Sequence, residues 1–348
     1  MKILITGNMG YVGPVVARYL RSQYSDLELI GYDAGFFGLS LTGAEKLPET
    51  RFDRQYFGDT RDIPAELLSG VDAVVHLAAV SNDPMGKEFE QVTAEINREA
   101  SVRLAKMAAK QGVRNFVFAS SCSMYGAAEG GPRKEADPTA PQTAYAHSKI
   151  GTEDDLRDAD LGDMVFTSLR FATACGMSDR LRLDLVLNDF VACAIATKKI
   201  VVLSDGTPWR PLIDVEDMAR AIDWGTRRAA YNGGQWLAVN AGHDRNNVRI
   251  SDLAYSVKEK FPGTVVEINT DAPPDKRSYQ VDFSLYRSLV PEENIPQVTL
   301  DQSVERLREG LERFAFSDAD FRQSSFMRLN TLRAHIAGDR LGPDLRWR

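Results

Sequence analysis

Tyr145 and Lys149, four residues apart in Tyr145-Ala146-His147-Ser148-Lys149, carry the most suggestive chemistry in this sequence. On a helix that spacing puts a phenol and an ammonium on one face, a turn apart. A tyrosine is a poor base at its ordinary pKa of about 10. A neighbouring cation favours the phenolate, so the pair can take the proton of an alcohol or sugar hydroxyl while hydride leaves the same carbon. The same spacing also occurs on solvated helix faces. Its context gives it meaning: a serine-rich stretch, Ser120-Ser121-Cys122-Ser123, lies upstream, and the chain opens on a motif able to hold a hydride acceptor.

That motif is Gly7-Asn8-Met9-Gly10-Tyr11-Val12-Gly13. An apolar run, Ile3-Leu4-Ile5, precedes it, and Val15, Val16, Tyr19 and Leu20 follow at helical spacing. The pattern reads as strand, glycine turn, helix. Gly7 permits the tight turn, Gly10 lets the backbone approach a pyrophosphate, and Gly13 allows close helix–strand packing. The helix N-terminus offers free N–H groups and a positive dipole end to the phosphates. The next strand, Leu27 to Tyr32, ends at Asp33, twenty residues after Gly13. A carboxylate there suits the adenosine ribose hydroxyls and repels a 2′-phosphate, and no arginine follows in Ala34-Gly35-Phe36. The expected cofactor is NAD.

The elements that position these groups alternate as in a doubly wound α/β fold with a parallel sheet. Strands are expected over Arg51–Phe57, Val71–His76, Asn115–Ala119 and Met164–Leu169, with one long helix over 89–111 and another carrying Tyr145 and Lys149. After Arg170 the elements shorten. The expected organisation is an NAD-binding Rossmann domain over 1–169, with 211–241 returning to it. A smaller interleaved substrate lobe takes 170–210 and 242–325, and 326–348 forms a helical tail. In that tail Phe326, Leu329, Leu332 and Ile336 make a stripe suited to docking on the protein itself.

Composition narrows the function. The chain has 348 residues, 43% hydrophobic and 26% charged, with a net charge of −7 and mixed signs. The clustered Lys/Arg that marks nucleic acid or membrane-surface binding is absent, and neither is an expected partner. Three scattered cysteines suit neither a disulfide framework nor a metal cluster, so no metal is expected. No apolar run reaches the ~20 residues of a membrane span. The first strand runs straight into the glycine motif without a signal peptide, which leads to a cytoplasmic expectation.

Taken in order, these motifs resemble the extended short-chain dehydrogenases/reductases, specifically their nucleotide-sugar epimerase/dehydratase family. The resemblance continues through Gly58-Asp59, His76-Leu77-Ala78-Ala79, Ser123-Met124-Tyr125-Gly126 and Leu169-Arg170-Phe171. It extends to Asp205-Gly206-Thr207-Pro208-Trp209-Arg210-Pro211 and Asp275-Lys276-Arg277-Ser278-Tyr279, covering about residues 1–315. It implies catalytic roles for three residues. Ser121 would contact the sugar oxygen, Tyr145 would take its proton, and Lys149 would hold the nicotinamide ribose and tune the tyrosine. It also implies cofactor contacts from Gly7, Gly10, Tyr11, Val12, Gly13 and Asp33 in the opening unit. Asp59, Thr60, Leu77, Ala78, Ala79, Asn97 and Ala172 would add others, several through backbone atoms. Substrate contacts are implied at Ser121, Ser123, Tyr145 and Thr173. Asn188, Arg210 and Arg277 match positions that touch the nucleotide diphosphate, a task suited to arginine's planar fork. The family's dimerisation through helices near 89–111 and 144–158 implies a homodimer.

Within that family the residues between the serine and Tyr125 separate the reactions. Dehydratases and decarboxylases resemble each other in carrying carboxylates there; this chain has Cys122 and Ser123. What remains resembles the 4-epimerases, in which NAD is reduced and reoxidised within one turnover of a nucleotide-diphosphate sugar. A nucleotide-sugar ketoreductase or dehydrogenase, a dehydratase, and a non-catalytic NAD-binding protein remain the alternatives. Arg180 and Arg182 suit either an anionic ligand or a solvated turn.

Overall fold

The computed structural model describes residues 1–42, 44–127, 130–272 and 278–348. Its strands, in chain order, are β1 Lys2–Thr6, β2 Glu28–Asp33, β3 Arg54–Phe57, β4 Ala73–His76, β5 Asn115–Ser121 and β6 Val165–Phe171. They continue as β7 Thr173–Cys175, β8 Lys199–Val202, β9 Trp209–Asp214, β10 Trp236–Ala241, β11 Asn247–Arg249 and β12 Val265–Ile268. Seven of them form a parallel sheet in the order β10-β6-β5-β4-β1-β2-β3. This is the doubly wound α/β fold expected from the alternation of elements.

Because helices cover both faces of such a sheet, its inner strands are buried on both faces rather than on one. All seven residues of β6 are buried, as are all four of β4. The chain winds outward from β1 to β3, then starts again beside β1 with β4. That reversal opens a crevice above the C-terminal ends of β1 and β4, the place where such sheets bind ligands. The glycine turn and Leu77-Ala78-Ala79 emerge there.

Three elements depart from the simple sequence pattern. β3 begins at Arg54 because Pro48–Arg51 closes a 3-10 turn ahead of it. β4 starts at Ala73, since the Asp72 carboxylate is engaged by the Lys2 N–H at 2.7 Å. The long helix is split into Glu90–Ala94 and Ala100–Lys110 by a π turn over Glu95–Glu99. Such turns are often found near functional sites, and this one carries Asn97.

The second lobe contains a three-stranded sheet, β11-β9-β7, and the parallel pair β12-β8. β10 returns to the edge of the central sheet, and the helix Val215–Arg227 packs on β5 and on the first helix, Gly13–Gln23. The C-terminal helix Arg328–Ala337 folds back onto the cofactor half of the molecule. Leu332, Leu341 and Leu345 are buried among Val80, Met85, Phe89, Val92 and Ile96. Burial of each leucine contributes about 1.5–3 kcal/mol, enough to hold a short segment in place.

Candidate active site

The C-terminal ends of the central strands open into one cavity of about 760 Å³, which continues into the second lobe. At one end lies the glycine turn. Gly7 has φ +72°, and a Cβ there would fall 2.5 Å from the Ala78 nitrogen. A Cβ on Gly13 would lie 2.3 Å from the Asn8 carbonyl oxygen, so that glycine brings helix and strand together behind the cavity wall. Gly10 differs: an added Cβ would meet only the Gly7 carbonyl oxygen, at 3.2 Å. The missing side chain leaves room on the cavity side, as a closely approaching diphosphate requires. The following helix has no side-chain cap; Pro14 lacks an N–H and the Val15 and Val16 amides donate to the Val12 carbonyl, so the Val12 and Gly13 amides are the ones left for a phosphate.

Asp33 lines the same cavity. Its carboxylate accepts from the Met9 N–H at 2.9 Å and the Gly35 N–H at 2.7 Å. Burial pushes its pKa up, against these two hydrogen bonds. The carboxylate is thereby oriented, with lone pairs remaining for ribose hydroxyls. Asp59, Thr60, Leu77, Ala78, Ala79, Val12 and Ala172 also line the cavity. Together these groups fit an extended dinucleotide: glycine backbone for phosphate, carboxylate for ribose, apolar strand ends for the rings.

Ser121 ends β5, and the helix Ala144–Arg157 brings Tyr145 and Lys149 to the same stretch of wall. Thr143 caps that helix through its side chain, accepting from the Ala146 N–H at 3.2 Å. Ser121 donates to Ser123 Oγ at 2.9 Å. The Lys149 ammonium donates to the Ala119 carbonyl at 2.7 Å and lies 5.6 Å from the Tyr145 ring centroid. Burial pushes the Tyr145 phenol up to about 12, while its hydrogen bond with Ser121 and the charge of Arg182 pull it back. Arg182 is therefore a cation that bears on the phenol, one the sequence left undecided. It is 7% exposed, lines the cavity, and is held by Asp184 at 2.7 Å and by Ser81 at 2.9 Å.

Burial lowers the Lys149 ammonium to about 7, with the Glu153 charge opposing the shift. Between pH 7 and 10 the unfolded chain holds a proton here that the folded chain has shed. Stability of protein stripped of nucleotide is thus expected to rise with pH over that window, by up to about 1.4 kcal/mol per pH unit from this group. Urea unfolding at pH 7, 8 and 9 should reveal this slope in wild type and its loss in Lys149→Met; equal slopes would contradict it.

On the substrate side, Ser123, Thr173 and Arg210 line the cavity, joined by Tyr279. The Arg210 guanidinium lies 5.8 Å from the Tyr279 ring centroid, and Thr173 hydrogen-bonds the Tyr279 side chain. Arg277 lies outside the described residues.

Two expected contact residues sit elsewhere. Asn97 is fully buried off the cavity, where it accepts from the Val80 N–H and donates to the Val80 carbonyl and Ser148. With both ends of its amide occupied it shapes the loop after Ala79 instead of touching a ligand. Asn188 is likewise fully buried, bonding Gly176, Tyr11 and the Arg182 carbonyl. It locks the segment that carries Arg182 and does not face a diphosphate. The Tyr11 hydroxyl is spent on the Gly176 carbonyl at 2.5 Å, which leaves Tyr11's backbone for a cofactor. His76 is a packing residue, hydrogen-bonded by Thr6 at 2.6 Å and Ser101 at 2.7 Å, and burial keeps its imidazole neutral by lowering it to about 3. Arg180 is buried on Glu49, away from the cavity.

A model of the NAD dependent epimerase/dehydratase family matches residues 3–242. The UDP-glucose 4-epimerase of Lacticaseibacillus casei is 25% identical over 292 residues, 76% of this chain and 84% of that protein. Among solved structures, the NAD-dependent NDP-hexosamine 5,6-dehydratase TunA has a TM-score of 0.75 at 22% identity, covering 92% of this chain and 99% of its own. The UDP-glucuronic acid 4-epimerase from Bacillus cereus, solved with UDP-glucuronic acid and NAD, has a TM-score of 0.74 at 21% identity, with 90% and 99% covered. These two share the fold of this chain while one is a dehydratase and the other an epimerase, so the fold alone leaves the reaction open. The family match spans well over half of the sequence and includes the glycine turn, Asp33, Ser121, Tyr145 and Lys149: the chain belongs to the NAD-dependent epimerase/dehydratase family.

Proposed function

We propose that the protein is an NAD-dependent epimerase of a nucleotide-diphosphate sugar, acting through a transient keto-sugar. One observation carries this reading. The wall around Ser121 and Tyr145 has no carboxylate on the stretch from Ser121 to Tyr125, where a dehydratase would need an added acid and base. Cys122 is fully buried there, its thiol donating to the Arg170 carbonyl at 3.0 Å, and Ser123 offers only a hydroxyl. Burial raises the Cys122 thiol far above its ordinary value, so it stays protonated. Such a site can move one proton and one hydride to and fro, which is all that epimerisation through a ketone requires.

Bound NAD supplies the hydride acceptor and, after the keto-sugar turns over, the donor. The Tyr145 oxygen takes the hydroxyl proton and later returns it. Ser121 hydrogen-bonds the sugar oxygen and fixes its distance from Tyr145. Lys149 holds the nicotinamide ribose, and Arg182 lowers the cost of negative charge on the phenol. The backbone of Gly7, Gly10, Tyr11 and Val12 holds the cofactor diphosphate, with Asp33 on the ribose and Asp59 and Thr60 toward the adenine. Leu77, Ala78, Ala79 and Ala172 wall the rest. Arg210, with Ser123 and Thr173, faces the nucleotide sugar, and Arg277 is proposed for its diphosphate. The relative from L. casei, a UDP-glucose 4-epimerase, supports the same reading.

A dehydratase reading has one observation in its favour. Asp83 lines the cavity and its charge reaches Tyr145. The two readings separate on products: a thermal-shift screen of UDP-, GDP-, CDP- and dTDP-sugars selects the substrate, and mass analysis follows. Epimerisation leaves the mass unchanged with no net NADH; a product lighter by one water, or stoichiometric NADH, overturns the proposal. No helix among the described residues is long and apolar enough to cross a membrane. We place the enzyme in the cytoplasm as a homodimer paired through helices near 89–111 and 144–158. Its solution mass should be twice 38.6 kDa, and a monomeric mass would contradict the pairing.

A further inference from the structure

The family model ends at residue 242, yet the cavity wall includes four residues from the last two dozen: Met327, Arg328, Leu332 and Leu345. Arg328 is the unusual one. It is 1% exposed and begins the C-terminal helix. One guanidinium nitrogen donates to the Arg180 carbonyl at 2.7 Å, and the group lies 4.5 Å from the centroid of the Phe37 ring. Its Nη1 has no hydrogen-bond partner among the described residues. A buried guanidinium without a matching anion costs several kcal/mol of solvation, and an orphaned buried donor in a native site calls for a ligand or another explanation.

We propose that Arg328 is the cation that pairs with the diphosphate of the dinucleotide, so that the C-terminal segment completes the cofactor site. The inference rests on the reading that the cavity holds NAD. Position favours the cofactor's diphosphate over that of the sugar nucleotide. Of the charges acting on Arg328, that of Asp33 belongs to the cofactor half, while those of Arg182, Asp184 and Arg180 come from the second lobe packed over it. Phe37, beneath the guanidinium, follows the ribose carboxylate Asp33 by four residues. Burial and the neighbouring arginines lower Arg328 to about 9, a strain that a bound diphosphate relieves.

The segment is pinned at both ends to the loop beyond Asp33. His335 Nε2 meets the Phe36 carbonyl at 2.9 Å, and the Trp347 indole donates to the Ala34 carbonyl at 2.5 Å. Arg61 reaches the Leu345 carbonyl at 3.4 Å, and Arg346 pairs with Asp62. These contacts hold Arg328 in place and wall the adenosine end. A cofactor so enclosed is retained between turnovers, as an enzyme that recycles NAD requires.

The test measures NAD and UDP affinities separately by calorimetry on the full-length protein, with melting curves as a folding control. Arg328→Met is expected to weaken NAD binding by about 10- to 100-fold, the loss of a charge-assisted pair, with UDP affinity unchanged. Arg328→Lys, which keeps the charge but not the fork, is expected to weaken NAD binding several-fold and carries the test if the methionine variant fails to fold. Trp347→Ala, at a half-exposed position, should speed NAD release into excess unlabelled NAD without altering UDP affinity. Wild-type NAD affinity in the folded arginine variants overturns the proposal. A loss confined to UDP also overturns it and assigns Arg328 to the substrate diphosphate. If wild type binds no NAD, the underlying cofactor reading fails instead.

Discussion

Turnover by the Tyr145→Phe protein is expected to fall by about 10²- to 10⁴-fold, the usual contribution of a positioned acid/base group. The substitution removes one oxygen from a half-buried ring on the cavity wall and leaves the packing of the helix Ala144–Arg157 intact. NAD content and melting temperature should therefore match wild type. The loss should appear in kcat and kcat/KM together, because the oxygen acts on the proton in flight and not on binding. The phenol, pushed up to about 12, rests protonated at neutral pH. Its hydrogen bond with Ser121 and the Arg182 charge are what make transient deprotonation accessible. A variant retaining wild-type turnover would remove Tyr145 from the mechanism.

The second large effect lies beneath the site. Glu153 follows Lys149 by four residues, as Lys149 follows Tyr145, so all three project from one helix face. Glu153 is fully buried and takes the Arg170 guanidinium on both oxygens, at 2.7 Å to 3.2 Å, together with the Ser168 hydroxyl at 2.7 Å. Arg170 in turn reaches the Tyr125 hydroxyl at 3.1 Å and the Glu135 carbonyl at 3.0 Å. This network pins the catalytic helix to β6. Glu153→Ala leaves Arg170 buried without its anion and is expected to cost about 3–5 kcal/mol of unfolding free energy. Replacing both residues by methionine should recover most of the loss, since a well-packed apolar pair avoids the solvation cost of the charges. Urea unfolding measures both. A loss below about 1 kcal/mol in the single variant would show that Arg170 finds another anion.

The parts of this architecture that were legible in the sequence are those set by short-range pattern. Apolar runs buried on both faces read as parallel strands, and glycines at Gly7, Gly10 and Gly13 read as a turn between strand and helix. Tyr145 and Lys149 share a helix face by spacing alone. The residues that escaped depend on chain segments far apart. Arg182 and Asp184 form an ion pair whose meaning arises only because the second lobe folds over Tyr145, some forty residues earlier in the sequence. Asn97 and Asn188 match contact positions, but tertiary packing turns both amides inward onto backbone groups. The stripe of Leu332 and its neighbours announced a docked helix without an address. Its destination beside Phe36 and Phe37 follows from the apolar surface that the π turn and the loop after Val80 leave to be covered. That docking carries Arg328 into the cavity.

Whether the hydride returns to the carbon it left is the central claim, and an isotope tracks it directly. The substrate found by the nucleotide-sugar screen is prepared with deuterium at the carbon that epimerises and incubated with the protein and no added NAD. Full retention of deuterium at that carbon in the epimer, over many turnovers per bound cofactor, is the predicted result. Deuterium found in released NADH, or in a product that has lost water, would contradict the account.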